Sequence, residues 1–157
     1  MCIRDSHGID ITAGPVSDTA PVHRLVEAAA AFASSVRFMR DPTRGGVAAV
    51  LNEVVEERAF GIALREADLP FSAGARAAAE LLGLDLLNVA CEGRLLLVCD
   101  RASSPAILAA WRRLPEGRDA CRIGEVNDRA GLVLLDTVMG AQRLVDVPQG
   151  EVLPRIC

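Results

Sequence analysis

Three stretches of the chain carry side chains able to do chemistry. The first ends in the terminal thiol of Cys157 and runs Pro148-Gln149-Gly150-Glu151-Val152-Leu153-Pro154-Arg155-Ile156-Cys157. Its prolines and glycine exclude a stable helix, because proline lacks the backbone N–H and clashes with the preceding turn. The segment reads as an extended, flexible tail that at full stretch sweeps roughly 30 Å. That reach suits a carrier arm; the plain alternative is a chain end that happens to be cysteine. The adjacent C-terminal carboxylate disfavours the thiolate, and Arg155 offsets it only in part. A reacting Cys157 therefore needs an electropositive site elsewhere to hold its thiolate.

The second stretch holds Glu92, between Cys91 and Gly93 and just ahead of the apolar run 95–99. Burial there would raise its carboxyl toward the range useful for a general acid or base; a solvated turn glutamate is the alternative. The third is Arg40-Asp41-Pro42-Thr43-Arg44-Gly45-Gly46. A helix starting at such a turn aims unpaired N–H groups and its positive dipole end at one point, which suits an anion. The turn is neither a P-loop nor a G-x-G-x-x-G fingerprint. It reads equally as a tight strand-to-helix connection capped by Asp41 or Thr43. Cys91 and Cys99 read as small core residues, His23 as a surface or capping residue and His7 as a loop residue.

These groups need a scaffold, and 157 residues with 51% apolar and 24% charged side chains are enough for one globular domain with its own core. With four Phe, one Trp and no Tyr, the core must come from Ala, Val, Leu and Ile. Every basic residue is arginine, which excludes lysine chemistry within the chain. A net charge of −4 argues against a nucleic-acid partner. No apolar run approaches the length of a membrane span, and no secretory signal opens the chain. Five cysteines without C-x-x-C or metal-ligand spacing point to a reducing cytoplasm, unpaired thiols and no metal site.

Apolar spacing places a helix after Pro21 with Val22, Leu25, Val26, Ala29 and Ala33 on one face, then a short strand over 36–39. A second helix carries Val47, Val50, Leu51, Val54 and Val55. A strand follows over 61–65 and a helix over 73–82 that stops at Gly83. Residues 95–99 read as a buried central strand, and a helix capped by Ser103 or Ser104 turns Ile107, Leu108 and Trp111 inward. Residues 120–126 and 132–135 read as strands paired with each other, and 142–147 closes the sheet. The expected class is α+β: a mixed β-sheet with helices packed on it in α/β/α layers, followed by the flexible tail.

Five segments then stand in a telling order: Val16-Ser17-Asp18-Thr19-Ala20-Pro21, Met39-Arg40-Asp41-Pro42-Thr43-Arg44-Gly45-Gly46-Val47-Ala48, Leu87-Asn88-Val89-Ala90-Cys91-Glu92-Gly93-Arg94, Ile123-Gly124-Glu125-Val126 and Leu153-Pro154-Arg155-Ile156-Cys157. Together they resemble the C-terminal half of the hydrogenase-maturation carbamoyl dehydratases (HypE type), within the PurM-like, aminoimidazole-ribonucleotide-synthetase-related superfamily. The resemblance implies a PurM C-terminal-domain-like fold over 9–147, a tail over 148–157, and in 1–8 a foreign end or the remnant of an N-terminal ATP-binding half. It implies that Cys157 receives a carbamoyl group from a carbamoyltransferase partner. ATP then drives dehydration of that group to a thiocyanate, and the cyanide passes to an iron-scaffold complex for [NiFe]-hydrogenase.

The resemblance also implies roles for residues inside the fold. Glu92 takes part in proton transfer; Thr43, Gly45 and Gly46 face the nucleotide, with Asp41 ordering the turn. ATP and magnesium are the implied cofactors, held mostly by the absent half, and a homodimer is implied. Two positions depart from the family: Cys91 stands where asparagine is usual, and Arg94 where lysine is usual, with a different donor geometry. A chain lacking the N-terminal half is expected to fold and to turn over no ATP. The rival readings are another enzyme of the superfamily, such as a selenophosphate synthetase, which lacks the terminal Leu-Pro-Arg-Ile-Cys, and a non-catalytic binding or dimerisation domain.

Overall fold

The structure is a computed structural model that describes Ser17 and residues 19–147. The expectations for the 148–157 tail, Cys157, the N-terminal end and Val16 and Asp18 of the first motif lie outside the described residues. Among the described residues, four helices, α1 (His23–Ala30), α2 (Gly46–Val55), α3 (Ala73–Leu82) and α4 (Ser104–Arg112), alternate with strands β1 (Val36–Arg40), β2 (Gly61–Arg65) and β3 (Leu96–Cys99), and β4 (Gly124–Asn127), β5 (Val133–Asp136) and β6 (Gln142–Leu144) follow.

The strands make two sheets rather than the single one expected. β1 and β3 form an antiparallel ribbon, and the other strands form a mixed sheet in the order β4-β2-β5-β6. β3 is therefore not a buried central strand; all four of its residues are half-buried. Its apolar run serves two sides at once. Leu96 packs on the core built by α2, β2 and β5, while Leu97 and Cys99 pack on the core built by α1 and α4. A strand wetted by hydrophobic contacts on both faces reads as a continuous apolar run whether or not it is central.

The expected pairing of 120–126 with 132–135 is also corrected. β2 lies between them, antiparallel to β4 and parallel to β5. Ile62 and Leu64 on β2 and Val133 and Leu135 on β5 share one face, since their registered partners are Ile62↔Val133 and Leu64↔Leu135. All four are buried with Ala48, Leu51 and Val55 of α2. β6 runs antiparallel to β5 at the sheet edge.

Local chemistry explains most element ends. Ser72 caps α3 by accepting the Ala75 N–H at 3.1 Å, and Gly83 closes it in the left-handed conformation. Ser103 precedes α4 without capping it; its hydroxyl donates to the Ser35 hydroxyl at 2.8 Å instead. The α1 face is narrower than its sequence pattern: Leu25 and Ala29 are buried, Val26 is exposed, and Ala33 falls in a 3-10 turn. Trp111 seals this second core, its indole N–H donating to the Leu25 carbonyl at 2.8 Å.

Candidate functional site

The site is assembled at the N-terminus of α2. The turn 40–46 leaves β1 and enters the helix with Gly45 and Gly46 both at positive φ, 72° and 61°. Neither Asp41 nor Thr43 caps the helix through its side chain; the cap is Gly45 in the left-handed conformation. The turn is ordered by its own backbone, with Thr43 N–H on the Asp41 carbonyl at 3.1 Å and Gly46 N–H on the Thr43 carbonyl at 2.9 Å. So Asp41 contributes its carbonyl here, while its side chain is exposed; Thr43 is half-buried and Gly46 buried. No acidic residue occupies the first turn of α2, which leaves its positive dipole end uncompensated from within the helix.

Arg40 ties the same turn down from the other side through an ion pair with Glu53 on α2. Both groups are about half exposed, so the pair orients the segment more than it stabilises it.

The segment 86–94 is brought directly onto this turn. The Cys91 N–H donates to the Pro42 carbonyl at 2.8 Å. Gly46 is pressed against the 3-10 turn Leu86–Asn88, so closely that a Cβ at Gly46 would lie 2.5 Å from the Leu87 carbonyl oxygen and 2.6 Å from that of Val89. Only a residue without a side chain fits there. Leu87 anchors the segment as a fully buried core side chain. Glu92 follows at the tip of a turn and is exposed, which matches the solvated turn glutamate of the two sequence readings and not the desolvated carboxyl; Gly93 beside it is the buried residue. Chain reversal needs the glycine inside, which leaves the glutamate outside facing solvent. Arg94 folds back with its guanidinium on the Gly93 carbonyl at 3.2 Å.

The structure thus unites Asp41, Thr43, Gly45 and Gly46 with the segment carrying Glu92. Cys157 lies outside the described residues. Among the described residues no group of three or more His, Cys, Asp or Glu could hold a metal ion. A cleft of about 450 Å³ between α3 and the β5–β6 hairpin, with Leu69, Phe71, Arg76, Leu135 and Arg143 in its walls, includes none of the predicted site residues. No described helix is long and apolar enough to cross a membrane.

The other described thiols are poor nucleophile candidates. Burial pushes the Cys99 thiol up, helped by the Asp100 carboxylate. Burial also raises Cys121, with Asp68 and Asp119 adding to it and Arg112 opposing. Cys91 has its sulfur 3.2 Å from the Val89 carbonyl within the site segment itself.

Two residues of this neighbourhood escaped the sequence reading. Asn88 has its side-chain oxygen buried without a hydrogen-bond partner at the turn that meets Gly46. Asn52 sits among the apolar residues of α2 and donates to the carbonyls of Ala48 and Val145, each at 2.9 Å. The only signal for Asn52 was a polar residue interrupting an apolar helical run.

Comparison with known proteins fits this arrangement. Residues 2–136 match the family of AIR synthase related proteins, C-terminal domain. Carbamoyl dehydratase HypE of Cupriavidus necator is 49% identical over 142 residues, covering 90% of this chain and 40% of that protein. Among solved structures, hydrogenase maturation protein HypE in complex with ATP superposes with a TM-score of 0.88 at 34% identity, covering 99% of this chain and 48% of that one. A HypE–HypF complex gives a TM-score of 0.87 at 35% identity, covering 93% and 48%. The chain spans less than half the length of these relatives.

Proposed function

Because the chain belongs to the family of AIR synthase related proteins through their C-terminal domain, and is similar to carbamoyl dehydratases within it, we propose that it is the C-terminal half of an ATP-dependent protein-S-carbamoyl dehydratase serving hydrogenase maturation. The observation that carries this reading is the docking of segment 86–94 on the 41–46 turn. The Cys91-to-Pro42 hydrogen bond and the Gly46 contact hold a carboxylate-bearing turn beside the start of a helix.

The chemistry asks for such a pairing. A carbamoyl group on the Cys157 sulfur, S–C(=O)–NH2, becomes S–C≡N by losing its oxygen and both nitrogen protons. Oxygen leaves readily only after phosphorylation, which is what ATP supplies. The N–H groups at the start of α2 suit a phosphate. Thr43 adds a hydroxyl at the same turn. The exposed Glu92 carboxylate faces solvent, open to take a proton from nitrogen in a substrate complex. Magnesium finds no ligand cluster among the described residues, and no step is derived through it.

Carrying the group on the last residue lets the same sulfur meet a carbamoyltransferase first and an iron scaffold afterwards, and a homodimer is consistent with the family. The relatives' additional length would supply most of the nucleotide contacts, so the isolated chain turns over no ATP. Incubation with a carbamoyltransferase, carbamoyl phosphate and ATP, followed by mass spectrometry, tests the reading. A carbamoyl-sized adduct on Cys157 that disappears in Cys157→Ala is expected; an unmodified terminus, with a full-length relative modified in parallel, would refute it.

A further inference from the structure

Segment 86–94 is held at Cys91 by Pro42 and at Leu87 and Val89 by Gly46. Its beginning is held too, by a residue to which no role has been assigned. We infer that Asp85 is a positioning residue that latches the start of this segment to the sheet edge and so sets where the Glu92 turn stands against the start of α2; the inference rests on the reading of Glu92 as proton acceptor. Asp85 stands just ahead of the 3-10 turn Leu86–Asn88 and spends its two carboxylate oxygens in two directions. Oδ1 accepts the Leu87 N–H at 3.0 Å, one of the leading N–H groups that a helical turn cannot satisfy from within. Oδ2 accepts a guanidinium N–H of Arg143 on β6 at 2.6 Å, 58 positions along the chain. A capping residue needs only one oxygen; the second makes Asp85 a link between two elements.

The link has a firm base on the sheet. Arg143 is registered opposite Leu135, whose side chain is buried in the main core. At its other end, the turn that Asp85 caps carries Leu87, 1% exposed in the same core. The carbonyls of Leu87 and Val89 close on Gly46, and the Cys91 N–H on the Pro42 carbonyl leads directly into Glu92.

Sheet edge, Asp85, 3-10 turn, Gly46 and the Glu92 turn thus form one series of contacts. The ion pair is its soft member: the Arg143 and Asp85 side chains are 42% and 34% exposed, so the pair adds little to the stability of the whole domain. Its effect falls on placement instead. A catalytic group displaced by about 1 Å loses on the order of 10²-fold in rate, so a contact of small worth to folding can matter to a proton transfer seven residues away.

Arg143→Gln opens the ion pair and leaves the cap, while Asp85→Ala removes both. Arg143→Lys keeps the charge, which suffices because the contact is a single N–H on one oxygen and not a bidentate fork. Amide exchange at Leu87 and Cys91 in the 157-residue chain should accelerate about threefold in Arg143→Gln and about tenfold in Asp85→Ala. Arg143→Lys should match the unsubstituted chain, and the β2 amides should be unchanged in all three. The second measurement joins the chain to the N-terminal half of a full-length relative and follows single-turnover dehydration. Asp85→Ala should slow it about tenfold, while the ATP concentration giving half the rate stays within about twofold. Unchanged exchange at Leu87 and Cys91 overturns the latch, and exchange in Arg143→Lys as fast as in Arg143→Gln overturns the part of the ion pair. Faster exchange with an unchanged dehydration rate, or with rate and ATP dependence impaired alike, overturns the positioning role and leaves a structural contact. If the unsubstituted fusion forms no thiocyanate while the relative does, the dehydratase reading falls, and the exchange measurements still decide the latch.

Discussion

Replacing Gly46 by alanine puts the assembly of the site to a quantitative test, with Gly83→Ala as its control. Both glycines have nearly the same left-handed backbone, φ 61° at Gly46 and 66° at Gly83. A Cβ at Gly83 meets nothing within 4 Å, so only the backbone cost applies. That cost is roughly 1–2 kcal/mol, offset by about 0.4–1 kcal/mol from the lower entropy of the unfolded alanine chain. The net destabilisation is about 1 kcal/mol.

At Gly46 the same Cβ would sit 2.5–2.6 Å from the carbonyl oxygens of Leu87 and Val89, where ordinary contact begins near 3.4 Å. These are backbone atoms tied to a buried leucine, so they cannot swing aside as a side-chain tip would. Forced overpacking of this kind adds about 1–3 kcal/mol, for a total of about 2–4 kcal/mol. In a domain of this size 1 kcal/mol moves Tm by about 2–4 °C. Gly83→Ala should therefore lower Tm by about 3 °C and Gly46→Ala by about 6–12 °C, read by circular dichroism melts and checked by urea unfolding. Exchange at the Cys91 amide should also accelerate in Gly46→Ala and not in Gly83→Ala. Equal Tm shifts in the two variants would show that segment 86–94 does not press on the helix start, and the site as described would fall.

In a full-length relative background, exchanging the residue equivalent to Glu92 for glutamine should leave carbamoylation intact while slowing dehydration about 10²-fold or more, measured as thiocyanate formed on the terminal cysteine; parallel losses in both steps would remove its proton-transfer role. Trp111→Phe strips the donor from the buried Leu25 carbonyl and should cost about 1–3 kcal/mol, visible as a lower urea midpoint, with no change expected at the Cys91 amide. The chain has no lysine and no tyrosine, so its thiols dominate any titration of stability between pH 8 and 11. Because burial raises the Cys99 and Cys121 thiols above the ordinary value near 9, their favourable contribution is complete below that value and is lost as pH rises through the folded value. Urea midpoints should hold from neutrality to about pH 9 and then decline, less steeply in Cys99→Ala/Cys121→Ala; an identical decline in that double variant would contradict the assignment.

Much of this was legible in the order of residues alone. The bounds of α2 and α3, the Gly83 stop and the inward turn of Ile107 and Trp111 follow from apolar spacing and local capping, which act over a few neighbouring positions. The motif segments themselves, 39–48 and 87–94, could be picked out before any coordinates, because side-chain type and spacing are properties of the chain. For Glu92 the chain left two readings open, a desolvated carboxyl and a solvated turn glutamate, because exposure at a turn depends on which of two adjacent residues the fold tucks in, here Gly93.

The separation of β4 from β5 by β2, and the split into ribbon and sheet, were invisible for a related reason. An apolar run records that a strand is covered, never by which partner. Asn52 shows the same divide most sharply. Its two hydrogen bonds reach four residues back and 93 residues forward, and only the second ties helix to sheet edge. A contact between positions so far apart exists only once helix and sheet have packed, so three-dimensional structure alone decided what Asn52 holds together.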